Sequence, residues 1–380
     1  MERTCYHVAW RSSRFIPTDA RVLGRSQVSL EEQVSWLRSA VLSILPLTYA
    51  LLGAAQQPRS WNGAILERVP VAAPYGTYQE WIGSLRTRDT TFDSAREARV
   101  RRIWTEDSYK LLISGRVKAY HIKYRSDGLA VSGFLVEPAR TPHQRYPAII
   151  YNRGGSRDLG LLKFRDLLEF ADIASHGYVV IASQYRGNDG GEGREDYGGA
   201  DVADVISLIP LLDSLPNVDA TRIGMYGWSR GGMMTYRALT QTDRIRAAVV
   251  ASGLADVFDL IQRRPEIEKN VVSQLIPGWP ATRDSALRRR SAVLWAAQLN
   301  KTTPILLLHG TADWRVHPTQ ALRMAEALYG ARHPFRMVLF EGAEHSLLEP
   351  WPEVRRSIQG WFDTYVRDGE AWPSLEPHGP

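Results

Sequence analysis

The run Gly227-Trp228-Ser229-Arg230-Gly231-Gly232 stands between an apolar stretch, Arg222-Ile223-Gly224-Met225-Tyr226, and a segment of helical pattern, Met233-Met234-Thr235-Tyr236-Arg237-Ala238-Leu239. Glycines two positions to either side of a serine are what a cramped strand-to-helix turn needs, and such a turn exposes the serine hydroxyl. Ser229 is therefore the candidate nucleophile. A serine hydroxyl is a poor nucleophile at neutral pH, so an imidazole must accept its proton, and a carboxylate must fix the imidazole tautomer and stabilise the imidazolium.

Both partners occur downstream. Pro304-Ile305-Leu306-Leu307-Leu308-His309-Gly310 reads as a buried strand, and Asp313 follows in the loop Thr311-Ala312-Asp313-Trp314-Arg315-Val316. Phe335-Arg336-Met337-Val338-Leu339-Phe340 reads as the next strand, and His345 sits in the loop after it. The order Ser229, Asp313, His345 is that of the α/β-hydrolase fold. Asp256 and Asp259, after the strand that follows the elbow, compete for the role of the acid. Asp313 is preferred because it directly precedes the strand that presents His345. Among the other histidines, His309 lies within a strand, His317 follows the acid loop too closely, His121 and His143 lie upstream of the elbow, and His333 precedes the last strand.

The elements that must position these residues follow from periodicity. Strands are expected near 118–125, 129–136, 147–152, 178–183, 222–227, 246–251, 304–309 and 335–341. Helices are expected at about 161–175, 200–214, 230–240, 319–329 and 352–367. A hairpin followed by alternating strands and helices implies an α/β class fold, a mostly parallel sheet flanked by helices. Between 253 and 300 the rhythm breaks. Phe258, Leu260, Ile261, Ile267, Val271, Val272 and Leu275 imply amphipathic helices, and Arg288-Arg289-Arg290 a solvated face. A helical insertion here is expected to cap the pocket and select the substrate.

Residues 116 to 368 resemble the prolyl oligopeptidase family of serine hydrolases. The resemblance rests on Tyr185-Arg186-Gly187, Gly198-Gly199-Ala200-Asp201-Val202-Ala203-Asp204-Val205, Arg222-Ile223-Gly224, the elbow, His309-Gly310-Thr311-Ala312-Asp313 with Arg315-Val316, and Gly342-Ala343-Glu344-His345-Ser346. It implies that Ser229, Asp313 and His345 form a triad, and that Arg315 contacts a substrate carbonyl. For the oxyanion hole it implies one donor in the Arg230 backbone N–H and another from the loop Asn152-Arg153-Gly154-Gly155-Ser156. Family members carry a tyrosine or a histidine immediately before that glycine pair, where this chain has Arg153, and Tyr151 is two positions early for a donating hydroxyl. The Gly155 N–H is expected to donate instead, with Arg153 shaping the pocket or meeting an acidic part of the substrate. Trp228 beside the nucleophile and Trp314 beside the acid are candidates to line the acyl pocket. Many family peptidases carry a β-propeller; the roughly 60 residues between leader and hydrolase strands are too few for even two blades of about 40.

The domain organisation expected is a leader over 1–55, an N-terminal extension over 56–115, the catalytic domain over 116–370 and a short tail over 371–380. Residues 40–52 are apolar, preceded by Arg38 and followed by Gly53-Ala54-Ala55, which reads as a secretory signal peptide with cleavage near Ala55. The 38 residues upstream are many for such a peptide, so translation is expected to begin near Val28 or Val34. Export to the periplasm or medium is the expectation, with a cytoplasmic enzyme as the alternative. The single cysteine, Cys5, leaves no disulfide, thiolate metal site or cysteine nucleophile after cleavage.

The formal charge of +6, of which residues 1–55 carry six arginines against four acids, is too small and too dispersed to argue for nucleic acid. No stable membrane span is expected in the mature chain, and the oligomeric state stays open. No dinucleotide fingerprint, phosphate loop or H-E-x-x-H motif is present, so neither cofactor nor metal is expected. The sequence thus reads as a serine hydrolase acting on short peptides or amides through an acyl-enzyme. A carboxylesterase for small acyl esters or acylated sugars is the alternative, and a silent ligand-binding hydrolase a third reading.

Overall fold

A computed structural model describes residues 62–88, 91–139 and 141–376; the leader, its apolar run and Cys5 lie outside the described residues. Nine strands, β1 (Ile65–Pro70), β2 (Val117–Ser126), β3 (Leu129–Pro138), β4 (Tyr146–Asn152), β5 (Val179–Ser183), β6 (Val218–Trp228), β7 (Ile245–Ala251), β8 (Ile305–Gly310) and β9 (Phe335–Phe340), make one sheet. Their order is β1-β2-β3-β5-β4-β6-β7-β8-β9. The pairs β1/β2, β2/β3 and β3/β5 are antiparallel and the remainder parallel. Every residue of β4, β5 and β8 is buried, as parallel strands covered on both faces require. Asp127 and Gly128 turn β2 into β3 with φ of 47° and 82°, the paired positive φ of a tight hairpin that follows the sheet's twist.

Each face carries its own core. Helices Phe164–Ser175 and Trp351–Phe362 bury Leu167, Phe170, Val354, Ile358 and Phe362 on one side. The elbow helix Arg230–Leu239 and helix Thr319–Gly330 bury Met233, Tyr236, Met324 and Leu328 on the other. The helix expected at 200–214 is two, Val202–Ile206 and Leu208–Ser214. Pro210 explains the break, since it has no N–H to donate and its ring crowds the carbonyl of Ile206. The last helix ends its α geometry at Phe362 and finishes as a π turn over Asp363–Arg367.

β1 has no counterpart in the expected strands. Ile-Leu-Glu-Arg-Val-Pro shows no alternation and is largely exposed; it closes the antiparallel edge, where a terminal proline is tolerated. The extension also forms helices Tyr78–Arg88, Ser94–Ile103 and Glu106–Ile113. Asp93 and Thr105 cap the latter two, accepting from the N–H groups of Arg96 and Ser108. Their aromatic cluster stacks Trp81 on Tyr109 at 5.8 Å and sets Tyr109 edge-on to Phe164 at 5.7 Å, docking the extension on the catalytic domain.

Within the insertion, helices Val257–Arg263 and Arg283–Arg290 flank short α and π turns. Arg290 corrects the solvated-face reading. It is buried, and its guanidinium donates to the carbonyls of Tyr197 and Asp196 at 2.7 and 2.8 Å, fastening the insertion to the loop before Asp201. Arg288 and Arg289 are exposed.

Asp204 is the buried junction between hairpin and helices. Its carboxylate accepts from Ser126 Oγ at 2.7 Å, from the Arg186 backbone N–H at 2.8 Å and from Arg186 Nη2 at 2.7 Å, and its carbonyl accepts from the Tyr124 hydroxyl at 2.8 Å. Asp204→Asn should leave the buried Arg186 guanidinium undercompensated and lower unfolding free energy by about 3–5 kcal/mol, read as a lower urea midpoint at unchanged slope. Glu169, which accepts from the Tyr226 hydroxyl at 3.3 Å, is pushed up to about 8 from 4.5 by burial and then by the Asp166 charge. A carboxyl raised on folding binds its proton more tightly in the folded chain, so its contribution to stability falls as pH rises through the window from 4.5 to about 8. Glu169→Gln should therefore gain stability relative to wild type across that window in parallel urea titrations, with no gain below it.

Candidate active site

Ser229 follows β6 and caps the elbow helix with φ 57° and ψ −123°, a conformation disfavoured for a residue with a side chain. The backbone around it over-determines that geometry. Its N–H donates to Ala251 O at 2.9 Å, and its carbonyl accepts from Gly232 and Leu254 at 2.9 and 3.0 Å. A Cβ at Gly227 would stand 2.3 Å from Gly231 O, and one at Gly231 only 1.9 Å from Asn152 O. These are the close approaches the elbow glycines permit.

His345 and Asp313, presented by the loops after β9 and β8, converge on this serine. His345 Nε2 lies 3.0 Å from Ser229 Oγ, and His345 Nδ1 lies 2.7 Å from Asp313 Oδ2. A carboxylate only accepts, so Nδ1 carries the proton and Nε2 offers its lone pair to the hydroxyl. Asp313 Oδ1 accepts the N–H groups of Arg315 and Val316, each at 2.9 Å. Burial alone would raise this carboxyl. Hydrogen bonds from His309 and His345 outweigh it and hold the group well below the usual carboxylate range.

His309 is the part of this arrangement that its place within a strand concealed. It is 1% exposed, and its Nε2 stands 2.8 Å from Val316 O and 3.3 Å from Asp313 Oδ2. One N–H thus spans the acid and the end of the acid's loop. The competing acids are engaged elsewhere: Asp256 caps helix Val257–Arg263 and pairs with Arg323 at 2.6 Å, and Asp259 pairs with Arg263 at 3.0 Å.

The residue after the nucleophile is anchored by charge. Arg230 is buried, its Nη2 lies 2.6 Å from Asp201 Oδ2, its Nη1 pairs with Glu195 and donates to Gly155 O at 2.9 Å, and its guanidinium stacks on Tyr197 and Tyr185. Burial alone would lower its basicity, but Glu195 and then Asp201 raise it above the ordinary value. Glu195 also accepts from the Arg157 N–H at 2.9 Å and Asn188 Nδ2 at 2.8 Å. Its fixed charge therefore ties the elbow to the loop after β4. Glu195 and Asp201 were not among the residues singled out for the site; the Gly-Gly-Ala-Asp motif was the available signal for Asp201.

Gly154 packs against the nucleophile, with a Cβ there standing 3.0 Å from Ser229 Cβ. Gly155 turns with φ +65°, and its N–H has no hydrogen-bond acceptor among the described residues. Arg153 is turned into the protein. It is 1% exposed, with Nε and Nη2 donating to Gln184 O at 3.0 and 2.8 Å and Nη1 to Gly154 O at 3.1 Å. Its guanidinium also faces Glu195 at 3.7 Å, so it is not presented to an acidic substrate group.

A cavity of about 380 Å³ adjoins Ser229 and His345, lined by Trp228 and Arg315 and, from the insertion, by Leu260, Ile267 and Val271. Trp314 departs from the pocket-lining expectation: it is 64% exposed and does not line this cavity, with Arg264 and Arg315 at 5.0 and 5.4 Å from its ring. Among the described residues no cluster of three histidine, cysteine or acidic side chains could hold a metal ion, and no helix is long and apolar enough to cross a membrane.

The sequence profile of the prolyl oligopeptidase family matches residues 163–369. The uncharacterized peptidase YtmA of Bacillus subtilis is 34% identical over 248 residues, 65% of this chain and 92% of YtmA. Dipeptidyl-peptidase 5 of Porphyromonas gingivalis is 27% identical over 260 residues, 65% of this chain and only 37% of that longer protein. Among solved structures, the acylaminoacyl peptidase of Pyrococcus horikoshii shares the fold at a TM-score of 0.58 and 22% identity, over 68% of this chain and 44% of its own. A puromycin-hydrolyzing peptidase of Mycobacterium tuberculosis aligns at a TM-score of 0.54 and 26% identity, over 65% and 39%. With its α/β-hydrolase sheet and this match over more than half of its length, the chain belongs to the prolyl oligopeptidase family and is a serine hydrolase.

Proposed function

We propose that the chain is a peptidase that cleaves peptide or amide bonds of short peptides through an acyl-enzyme on Ser229. The observation that carries this reading is the continuous relay from Ser229 Oγ to His345 at 3.0 Å and from His345 to Asp313 at 2.7 Å, beside a cavity walled by the insertion. The names of the relatives, which are peptidases, favour amide over ester substrates.

Ser229 Oγ attacks the substrate carbonyl carbon as its proton passes to His345 Nε2, and the carbonyl electron pair moves onto oxygen. The backbone N–H groups of Arg230 and Gly155 receive that oxyanion. The first is one of the amides that a helix N-terminus leaves unpaired, and the Arg230 ion pairs hold it still. The C–N bond then breaks, the pair going to nitrogen, which takes the proton from His345 and leaves as an amine. Water, deprotonated by the same imidazole, releases the acid and restores Ser229. Asp313 keeps its charge throughout, since the hydrogen bonds from His309 and His345 hold its carboxyl well below the usual carboxylate range. Arg315, on the rim of the cavity, serves a substrate carbonyl, and Trp228 forms one wall.

The deciding measurement is kcat/KM of the full chain on esters and amides that share an acyl group, with Ser229→Ala as the blank. Ser229-dependent amide cleavage within about 100-fold of the ester is expected. Ester turnover without amide cleavage over a broad acyl panel would make the enzyme a carboxylesterase, and failure of Ser229 to react with a fluorophosphonate would leave a ligand-binding protein. Gly155→Ala places a Cβ 2.1 Å from Leu159 O in a left-handed backbone, so its N–H must move. That variant should lose about 10²–10³ in kcat, the loss of one oxyanion donor, with KM little changed.

A further inference from the structure

Beyond the indole of Trp228 lies a second cavity, of about 710 Å³. Tyr151, Arg165, Asp166 and Trp228 line both this space and the one at Ser229. Its far wall is the N-terminal extension, through helix Ser94–Ile103 and Trp104. Position relative to the triad determines which half of a substrate it faces. His345 must hand its proton to the departing atom, so that atom lies on the histidine's side of the carbonyl. His345 itself lines the smaller cavity together with the apolar residues of the insertion, and Ser346 and Leu348, which follow it in its loop, line the larger. The acyl half therefore lies under the insertion and the leaving half beyond Trp228.

The lining carries the chemistry of that leaving half. Trp104, Trp228, Trp351 and Tyr151 supply aromatic faces, with Trp228 and Trp351 5.9 Å apart. Trp351 is 2% exposed, and its buried indole N–H has no hydrogen-bond partner among the described residues. The acids in the lining are already engaged. Asp93 accepts from the Arg96 N–H at 2.7 Å, Asp166 accepts from the Lys163 N–H at 2.7 Å beside Arg165, and Glu169 accepts from Tyr226 and stays protonated at neutral pH. Arg99, exposed on the extension's helix, forms no hydrogen bond or ion pair among the described residues. Arg99 is thus a cation of the lining with no partner among the described residues.

We propose that this cavity binds the leaving group and selects the C-terminal residue of a short peptide, its large apolar or aromatic side chain against the indoles and its free α-carboxylate on Arg99. The proposal rests on the amide-hydrolase reading and makes the extension, not only the insertion, a determinant of specificity.

The test uses the full chain and four amides with one acyl group, whose leaving groups are phenylalanine and glycine, each as the free acid and as the carboxamide. Phenylalanine should exceed glycine by about tenfold or more in kcat/KM, the scale of a filled apolar pocket. Acids should exceed carboxamides by about threefold, the scale of an exposed ion pair. Arg99→Ala should bring the acid-to-carboxamide ratio to one and spare the phenylalanine preference. Trp104→Ala should do the reverse, and Trp104→Phe, which keeps an aromatic face and perturbs the fold less, should retain most of that preference. A wild-type ratio near one for either pair overturns the corresponding contact, and ratios that survive both variants overturn the placement of the leaving group. If no amide is cleaved while an activated ester of the same acyl group is turned over in a Ser229-dependent way, the peptidase reading alone fails. Esters of phenyllactic and glycolic acid, as acids and carboxamides, then carry the same comparison.

Discussion

The backbone of Ser229, at φ 57° and ψ −123°, is the constraint around which the other parts are arranged. A residue with a side chain in so sparsely populated a region costs about 1–3 kcal/mol, and it persists only where the surroundings leave no alternative. Here β6 enters the turn paired to β4 and β7, and the elbow helix leaves it with Gly231 pressed on Asn152 and Gly232 on Gly253. The strain is useful because it points the hydroxyl toward His345.

A second constraint is electrostatic. Arg230 and Arg153 are both buried, and Glu195 lies between them, with Asp201 completing the set. Such a network is weak evidence for stability, since desolvating four charges offsets most of their attraction. Its effect here is positional. Arg230 Nη1 donates to Gly155 O while Arg153 Nη1 donates to Gly154 O, so adjacent carbonyls of the loop after β4 are held by buried guanidinium groups that cannot swing into solvent. The Arg153 side chain turns inward to brace the loop, and the Gly155 N–H has no acceptor among the described residues.

Much of this was legible in the chain because the catalytic parts are local. The elbow is a six-residue pattern, Asp313 and His345 each follow an apolar run, and the order of the three implies the fold. What escaped is held by contacts distant in sequence. β1 is an edge strand whose pattern follows solvent rather than a core, and Arg290 is buried only because the carbonyls of Asp196 and Tyr197 come to meet it. His309 looked like a strand residue and is one, but its Nε2 points along the strand end to Asp313. Trp314 is adjacent to the acid in sequence, yet two N–H bonds to Asp313 turn the loop so that the indole faces outward.

The same reasoning separates the two elements that border the site. The insertion follows β7, one strand beyond the elbow, and its Leu260, Ile267 and Val271 line the cavity at Ser229. The extension reaches the site by a different route. Its β1 extends the antiparallel edge, far along the sheet from β6, and the aromatic cluster on Phe164, Arg165 over Trp104 and the Arg102 bonds to the carbonyls of Leu348 and Glu349 hold helix Ser94–Ile103 toward Trp228. A catalytic domain with a bare face on the histidine side would leave the leaving group in water. Covering that face with a short docked segment supplies a wall through a few aromatic contacts and one helix, without altering the sheet that holds the triad.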